Sequence, residues 1–441
     1  RLVGSEMCIR DRYIGIHCIL GVLLMAGFSA CQDEALVTVT RICTQKVGDT
    51  ETELAQVRLG EMIRIEGNGF ATTKAIYCNG VSVSGINSNF ITDTQIIFTI
   101  PKSIPIGSEV KNKEELNTIR IVTEYDNFVY SIPVLGGTPT VSGVSHTLAK
   151  AGELIHIYGT NLRGIDKITF PGDIVVEAGM FTESSDYTMI TVTVPEGGDL
   201  LPGEICVEGI SGGAYSYNYM NCKDCIFIDK FNKESDAYNY SNFLTATMHD
   251  PLPADTYGEP GSPEYYRAFP KDGPADFDPV TQNDTEIANF RLFSQKMWDI
   301  VLANSNGLIK ESTSCDKLAV QFDYYATAPW STGCFRWEMI EGKSDYRQTT
   351  VSWVENGELA PVTFKGWRTL TMPLSEMAAV KGKNVKQVRE AVKDATGKFI
   401  YKLGKFQVGG TYYTGTIMSD CRVFMGNFRI VPYSKKSYSN N

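Results

Sequence analysis

A chain of 441 residues is long enough for two to four domains with separate cores, and its 43% hydrophobic and 21% charged residues exclude a disordered or polytopic membrane chain. The 41 Lys and Arg stand against 51 Asp and Glu, a net charge of −10, which is the wrong sign for nucleic acid as a main partner. Only four histidines are present, His17, His146, His156 and His249, too few for a His-rich centre, so no metal and no cofactor is expected.

The first element is a targeting segment. Arg10 and Arg12 precede an apolar run from Ile14 to Phe28, which ends at Ser29-Ala30-Cys31. A positive start, a short apolar centre and small residues before a cysteine form a lipoprotein signal over residues 1–30. The run is shorter than the ~20 residues that span a bilayer. Residues 1–12 resemble a translated adaptor more than a natural leader. Cys31 is then the lipidation site, and the acyl chains tie the protein to a membrane. Gln32-Asp33-Glu34 resembles the acidic stretch after the lipid cysteine of surface-exposed lipoproteins in Bacteroidetes, which implies the cell outer membrane.

Eight further cysteines follow, at 43, 78, 206, 222, 225, 315, 334 and 421. An oxidising compartment permits disulfides, though spacing does not give their pairing. Cys222-Lys223-Asp224-Cys225 has no second pair at zinc-ribbon distance and stands between strand-rich stretches. These cysteines read as structural or free thiols.

Residues 36–226 contain a repeat. Leu59-Gly60-Glu61-Met62-Ile63-Arg64-Ile65-Glu66-Gly67 aligns with Ala151-Gly152-Glu153-Leu154-Ile155-His156-Ile157-Tyr158-Gly159. Thr94-Gln95-Ile96-Ile97-Phe98-Thr99-Ile100-Pro101 aligns with Thr188-Met189-Ile190-Thr191-Val192-Thr193-Val194-Pro195 at nearly the same offset. Both blocks alternate as half-buried strands do, and the second ends at a proline that cannot donate to a ladder. Two β-sandwich modules are predicted, over 36–135 and 136–226. Their pattern resembles the immunoglobulin-like IPT/TIG fold. His156 is expected on the polar side of its strand.

After residue 226 the texture changes. An aromatic, Pro-punctuated segment, 251–279, lacks periodicity and is read as a long packed loop. Alternating runs then predict strands at 317–325, 334–339, 348–354, 367–374 and 422–430, with one helix near 384–394. Short strands between Gly, Pro and Asn turns argue a β-sandwich or jelly roll over 227–441. The fold class is all-β and multidomain.

The lipobox, the tandem IPT-like modules, Trp367-Arg368-Thr369-Leu370-Thr371-Met372-Pro373-Leu374-Ser375 and Gly426-Asn427-Phe428-Arg429-Ile430-Val431-Pro432 are together similar to the surface glycan-binding proteins of Bacteroidetes polysaccharide-utilisation loci. The resemblance implies Ig-like spacers and a C-terminal domain that binds plant β-glucan-type chains such as xyloglucan. It also implies a TonB-dependent transporter and a SusD-like lipoprotein as partners.

All five tryptophans lie after residue 297, and an indole or phenol can cover the apolar C–H face of a sugar. Trp330, between Pro329 and Gly333, leads the candidate glycan-binding residues, because loops on rigid sandwiches carry binding groups. Trp353, before the turn-like Glu355-Asn356-Gly357, and Tyr346 join it. Arg336 is a candidate partner for sugar hydroxyls, and Trp337 is included although its alternation with Phe335 and Met339 suits a core. Trp298 and Trp367 read as packing residues. No catalytic residue is expected, since neither a Gly-x-Ser-x-Gly elbow nor a HExxH motif is present. Two other classes stay open: an Ig-like adhesin or surface assembly protein, and a glycoside hydrolase, whose paired carboxylates rarely show in sequence.

Overall fold

The computed structural model describes residues 36–45, 52–228, 295–326, 366–377, 380–391, 423–434 and 436–439, and shorter segments between 252 and 421. The chain forms two compact units, residues 1–135 and 136–441. Trp330, Trp353 and Cys31 lie outside the described residues.

The first unit is built on two sheets. Strands β1 (Thr38–Thr44), β2 (Met62–Asn68), β3 (Ala75–Cys78), β4 (Gln95–Thr99), β5 (Thr118–Val122) and β6 (Asn127–Ser131) supply them. One sheet has the order β1-β2-β4, and the other pairs β3 with β5 and β5 with β6. Ile63 and Ile65 of β2 and Ile119 and Ile121 of β5 are all fully buried, the inward set of each alternation.

The second unit opens with the same plan. Strands β7 (Thr140–Val144), β8 (Leu154–Thr160), β9 (Ile165–Phe170), β10 (Ile174–Glu177), β11 (Phe181–Glu183), β12 (Met189–Thr193), β13 (Gly203–Gly209) and β14 (Gly212–Met220) form sheets of order β7-β8-β12-β11 and β10-β9-β13-β14. Ile155, Ile157, Ile168, Ile190 and Ile205 fill the space between them.

The repeated residues have repeated physical roles. Gly60 and Gly152 take φ of +80° and +89° at the turn before β2 and β8. The next residue closes that turn: Glu61 accepts the Arg58 N–H at 3.0 Å, and Glu153 accepts the Lys150 N–H at 2.9 Å. Farther on, a Cβ at Gly67 would stand 1.8 Å from the Thr38 carbonyl oxygen, and one at Gly159 would stand 1.8 Å from that of Thr140. Both approaches sit beside a register shift in the neighbouring strand. The bulge brings two backbones closer than any side chain allows.

The remainder of the second unit is organised on β15 (Ile226–Ile228), β16 (Tyr265–Phe269), β17 (Leu318–Ala326), β18 (Gly333–Glu341), β19 (Asp345–Val351), β20 (Arg368–Pro373), β21 (Lys405–Val408) and β22 (Val423–Pro432). One sheet runs β16-β22-β17-β20, with β15 also paired to β22. Another contains β21-β18-β19. The aromatic segment 251–279, expected as a loop, contributes strand β16, whose Tyr266–Phe269 pair with Val423–Gly426. Pairing to a central strand supplies the order that local periodicity did not announce.

Two helices flank the strands. α1 (Gln295–Asn304) was not anticipated from the sequence; it buries Met297, Trp298 and Val301 and is joined to α2 (Val385–Ala391) by an Asp299–Arg389 ion pair at 2.6 Å. At α2, Asn384 and Gln387 exchange side-chain and backbone hydrogen bonds, each 2.9 Å, which defines the helix start. Trp298 and Trp367 are buried, as packing residues should be.

Candidate functional site

Three of the sequence-derived candidates fall on described strands. In the β18–β19 ladder Arg336 stands opposite Thr350, Trp337 opposite Thr349, and Tyr346 opposite Ile340. Directly opposed positions belong to the same side of a sheet and successive positions alternate. Arg336 and Tyr346 therefore fall in one alternate set and Trp337 in the other.

The second unit also contains a polar junction between its Ig-like module and its C-terminal strands, which the sequence reading did not single out. At its centre Arg429 on β22 is fully buried, as is Asp323 on β17. Arg429 donates from Nη2 to Asp323 Oδ1 at 2.9 Å and from Nη1 to Oδ2 at 3.2 Å. It also donates to Gln321 Oε1 at 3.1 Å and to Thr147 Oγ1 of the Ig-like module at 2.9 Å. Asp323 accepts further from Thr369 at 2.7 Å and Asn427 at 2.9 Å. Burial alone would raise the Asp323 carboxyl, but Arg429, with His146 and these hydrogen bonds, holds it below the usual carboxylate range.

The local sequence explains this aim. Between Gln321↔Arg429 and Asp323↔Gly426 the register shifts, and Asn427 takes φ of +52°. A bulge of this kind re-aims its neighbours, so Gly426-Asn427-Phe428-Arg429 is a motif for seating one guanidinium. The Ig-like module answers with Thr147, whose N–H donates to Thr369 Oγ1 at 2.9 Å, and with Asn218, whose amide donates to Thr371 Oγ1 at 2.8 Å.

His146 is buried beside this pair, its Nε2 3.9 Å from Asp323 Oδ2. Burial lowers its pKa below the ordinary 6.5, against the pull of Asp323. His156 lies on the polar side of β8, where its Nδ1 meets Thr191 Oγ1 at 2.9 Å. At the module boundary Cys222 and Cys225 are buried free thiols, and their mutual hydrogen bond, then burial, pushes Cys222 up. Cys78 and Cys315 are raised to about 12 by burial. The raised thiols of Cys78, Cys222 and Cys315 stay protonated at neutral pH. Among the described residues no group of three or more His, Cys, Asp or Glu is placed to hold a metal ion.

Comparison with known proteins gives the class. Residues 220–432 match the family described as the surface glycan-binding protein B xyloglucan binding domain. An IPT/TIG domain-containing protein of Bacteroides ovatus is 28% identical over 202 residues, 42% of this chain and 40% of that relative. The chain thus spans about two fifths of that relative's length. Among solved structures, the surface glycan-binding protein PbSGBP-B from Prevotella bryantii superposes with a TM-score of 0.59 at 17% identity, over 90% of this chain and 98% of that one. That likeness establishes a shared all-β fold. The chain is thus similar to surface glycan-binding protein B, with the family match carried by residues 220–432.

Proposed function

We propose that the protein is a non-catalytic, lipid-anchored polysaccharide binder that captures plant β-glucan-type chains, xyloglucan or a related hemicellulose, at the outer membrane. The observation that carries this reading is the match of residues 220–432 to a xyloglucan-binding domain family. The Ig-like modules act as spacers between a lipid on Cys31 and the C-terminal domain, and a TonB-dependent transporter with a SusD-like lipoprotein receives the chain. Trp330, Trp353 and Tyr346 stack on sugar faces, and Arg336 hydrogen-bonds hydroxyls, with Trp337 as a further contact. A neutral polymer requires no charged counter-surface, which suits a protein of net charge −10. Many copies on one chain add avidity.

Affinity electrophoresis against soluble polysaccharides tests the reading, with wild type and Trp330→Ala side by side and reducing-sugar release followed in parallel. The expected result is retardation by xyloglucan or another β-glucan, weakened in the variant, without sugar release. No retardation by any glycan overturns the binder in favour of an adhesin. Sugar release overturns the non-catalytic part.

A further inference from the structure

Beside the buried network, the Ig-like module and the C-terminal strands enclose an open cleft of about 560 Å³. This lies in the range of roughly 300–1,000 Å³ common to small-molecule sites, which favour such boundaries between domains. Tyr158 enters from the module, Tyr324 and Arg368 from β17 and β20, and Tyr433 from just past β22, with Ser142 and Asn218 among the polar groups. Among the described residues the lining contains no carboxylate.

The tandem repeat supplies an independent observation. The positions equivalent to His156 and Tyr158 in the first module are Arg64 and Glu66. There they form an ion pair at 2.9 Å, and Glu66 holds Arg41 as well at 2.6 Å. The second module keeps the buried isoleucine between these positions but replaces the charged pair by two rings, with centroids 6.2 Å apart. Tyr158 is 38% exposed. An exposed aromatic has thus replaced a carboxylate on an otherwise repeated strand, in the copy that borders the cleft.

We propose that this cleft is a second carbohydrate-binding subsite, taking a short stretch of neutral glycan with Tyr158 against a sugar face and Arg368 toward its hydroxyls. The proposal rests on the glycan-binding reading above and concerns a different set of residues. Tyrosine hydroxyls and the Asn218 amide supply neutral donors and acceptors, and a fixed guanidinium fork matches a pair of neighbouring hydroxyls. The buried network sets the two walls before ligand arrives, so little ordering cost is left to binding.

The experiment is isothermal titration of the mature chain with a xyloglucan oligosaccharide and with a mixed-linkage β-glucan oligosaccharide. Wild type, Tyr158→Ala, Gly143→Leu and Trp330→Ala are compared. Gly143 lines the cleft, and a Cβ there meets nothing within 4 Å, so the leucine narrows the cleft without a backbone clash. Two sites are expected in wild type. Tyr158→Ala weakens one about tenfold, Gly143→Leu abolishes that same site, and Trp330→Ala affects only the other. A thermal melt of each variant verifies folding. One site per chain, unmoved by Tyr158→Ala and Gly143→Leu, overturns the subsite and leaves the proposed function standing. No binding of either probe by wild type overturns both.

Discussion

The two Ig-like modules share a blueprint and differ where each meets its surroundings. Their buried isoleucines, glutamate-closed turns and close-approach glycines correspond residue for residue along the repeat. Their outer strands diverge: the first carries the Arg41–Glu66–Arg64 cluster, and the second carries His156 and Tyr158. The first module completes a unit that ends at Leu135, whereas the second is continuous with the C-terminal strands. The interior of a duplicated module is constrained by packing, and the exposed faces are free to specialise.

The charged groups of the two units give the sharpest contrast. Asp323→Ala leaves Arg429 buried without its carboxylate, so the second unit loses about 3–5 kcal/mol. Hydrogen-exchange mass spectrometry should show β17, β20 and β22 losing protection while the first unit keeps its own. A loss below 1 kcal/mol would mean that solvent reaches the pair. Next in size, Gly67→Ala and Gly159→Ala each force a backbone contact open and cost roughly 1–3 kcal/mol. The two costs should match within error in chemical denaturation; a marked inequality would break the structural equivalence of the repeats. Glu66→Ala, at a partly exposed ion-pair cluster, costs about 1 kcal/mol or less.

The smallest effect is a pH slope. Both described histidines belong to the second module, and burial lowers the pKa of each, with Arg368 adding to the shift at His156. His146 faces Asp323, Arg429, Glu153 and Arg368. A base whose folded pKa lies below its unfolded one is protonated first in the unfolded chain. The stability it supports is therefore full above pH ~6.5 and falls as pH drops through that value toward the folded pKa. Thermal melts from pH 7.5 to 5 should show the second unit weakening with a slope of at most one proton per histidine. His146→Gln should flatten that slope, and an unchanged slope would assign it to other groups.

Much of this architecture was legible because it is periodic. Alternation over Ile63–Ile65 and Ile155–Ile157 gave strands and their inward faces, and Val385 and Val388 gave α2. Helix α1 was missed because its apolar positions, Met297, Trp298 and Val301, lie in a short run. Strand β16 was missed because its order comes from pairing with residues far along the chain. The buried Arg429–Asp323 pair was invisible for a related reason: each residue alternates within a strand as a solvent-facing charge would. Only the spatial meeting of β17, β20, β22 and the loop around Thr147 turns that polar face inward. Tyr158 could have been noticed, since the repeat alignment sets it opposite a glutamate.

The order in which the chain is made gives strand β22 another consequence. It pairs with residues 226–228, 266–269 and 318–326, all synthesised before it. The first unit has all of its strands once Leu135 has been made. The main sheet of the C-terminal domain lacks its middle until residues 423–432 emerge, so its earlier strands wait with open edges. A nascent chain stalled before residue 423 would carry one finished module and a second whose polar seam, Thr147 and Asn218 included, still faces water. The guanidinium of Arg429 is thus the last side chain of the buried network to be made.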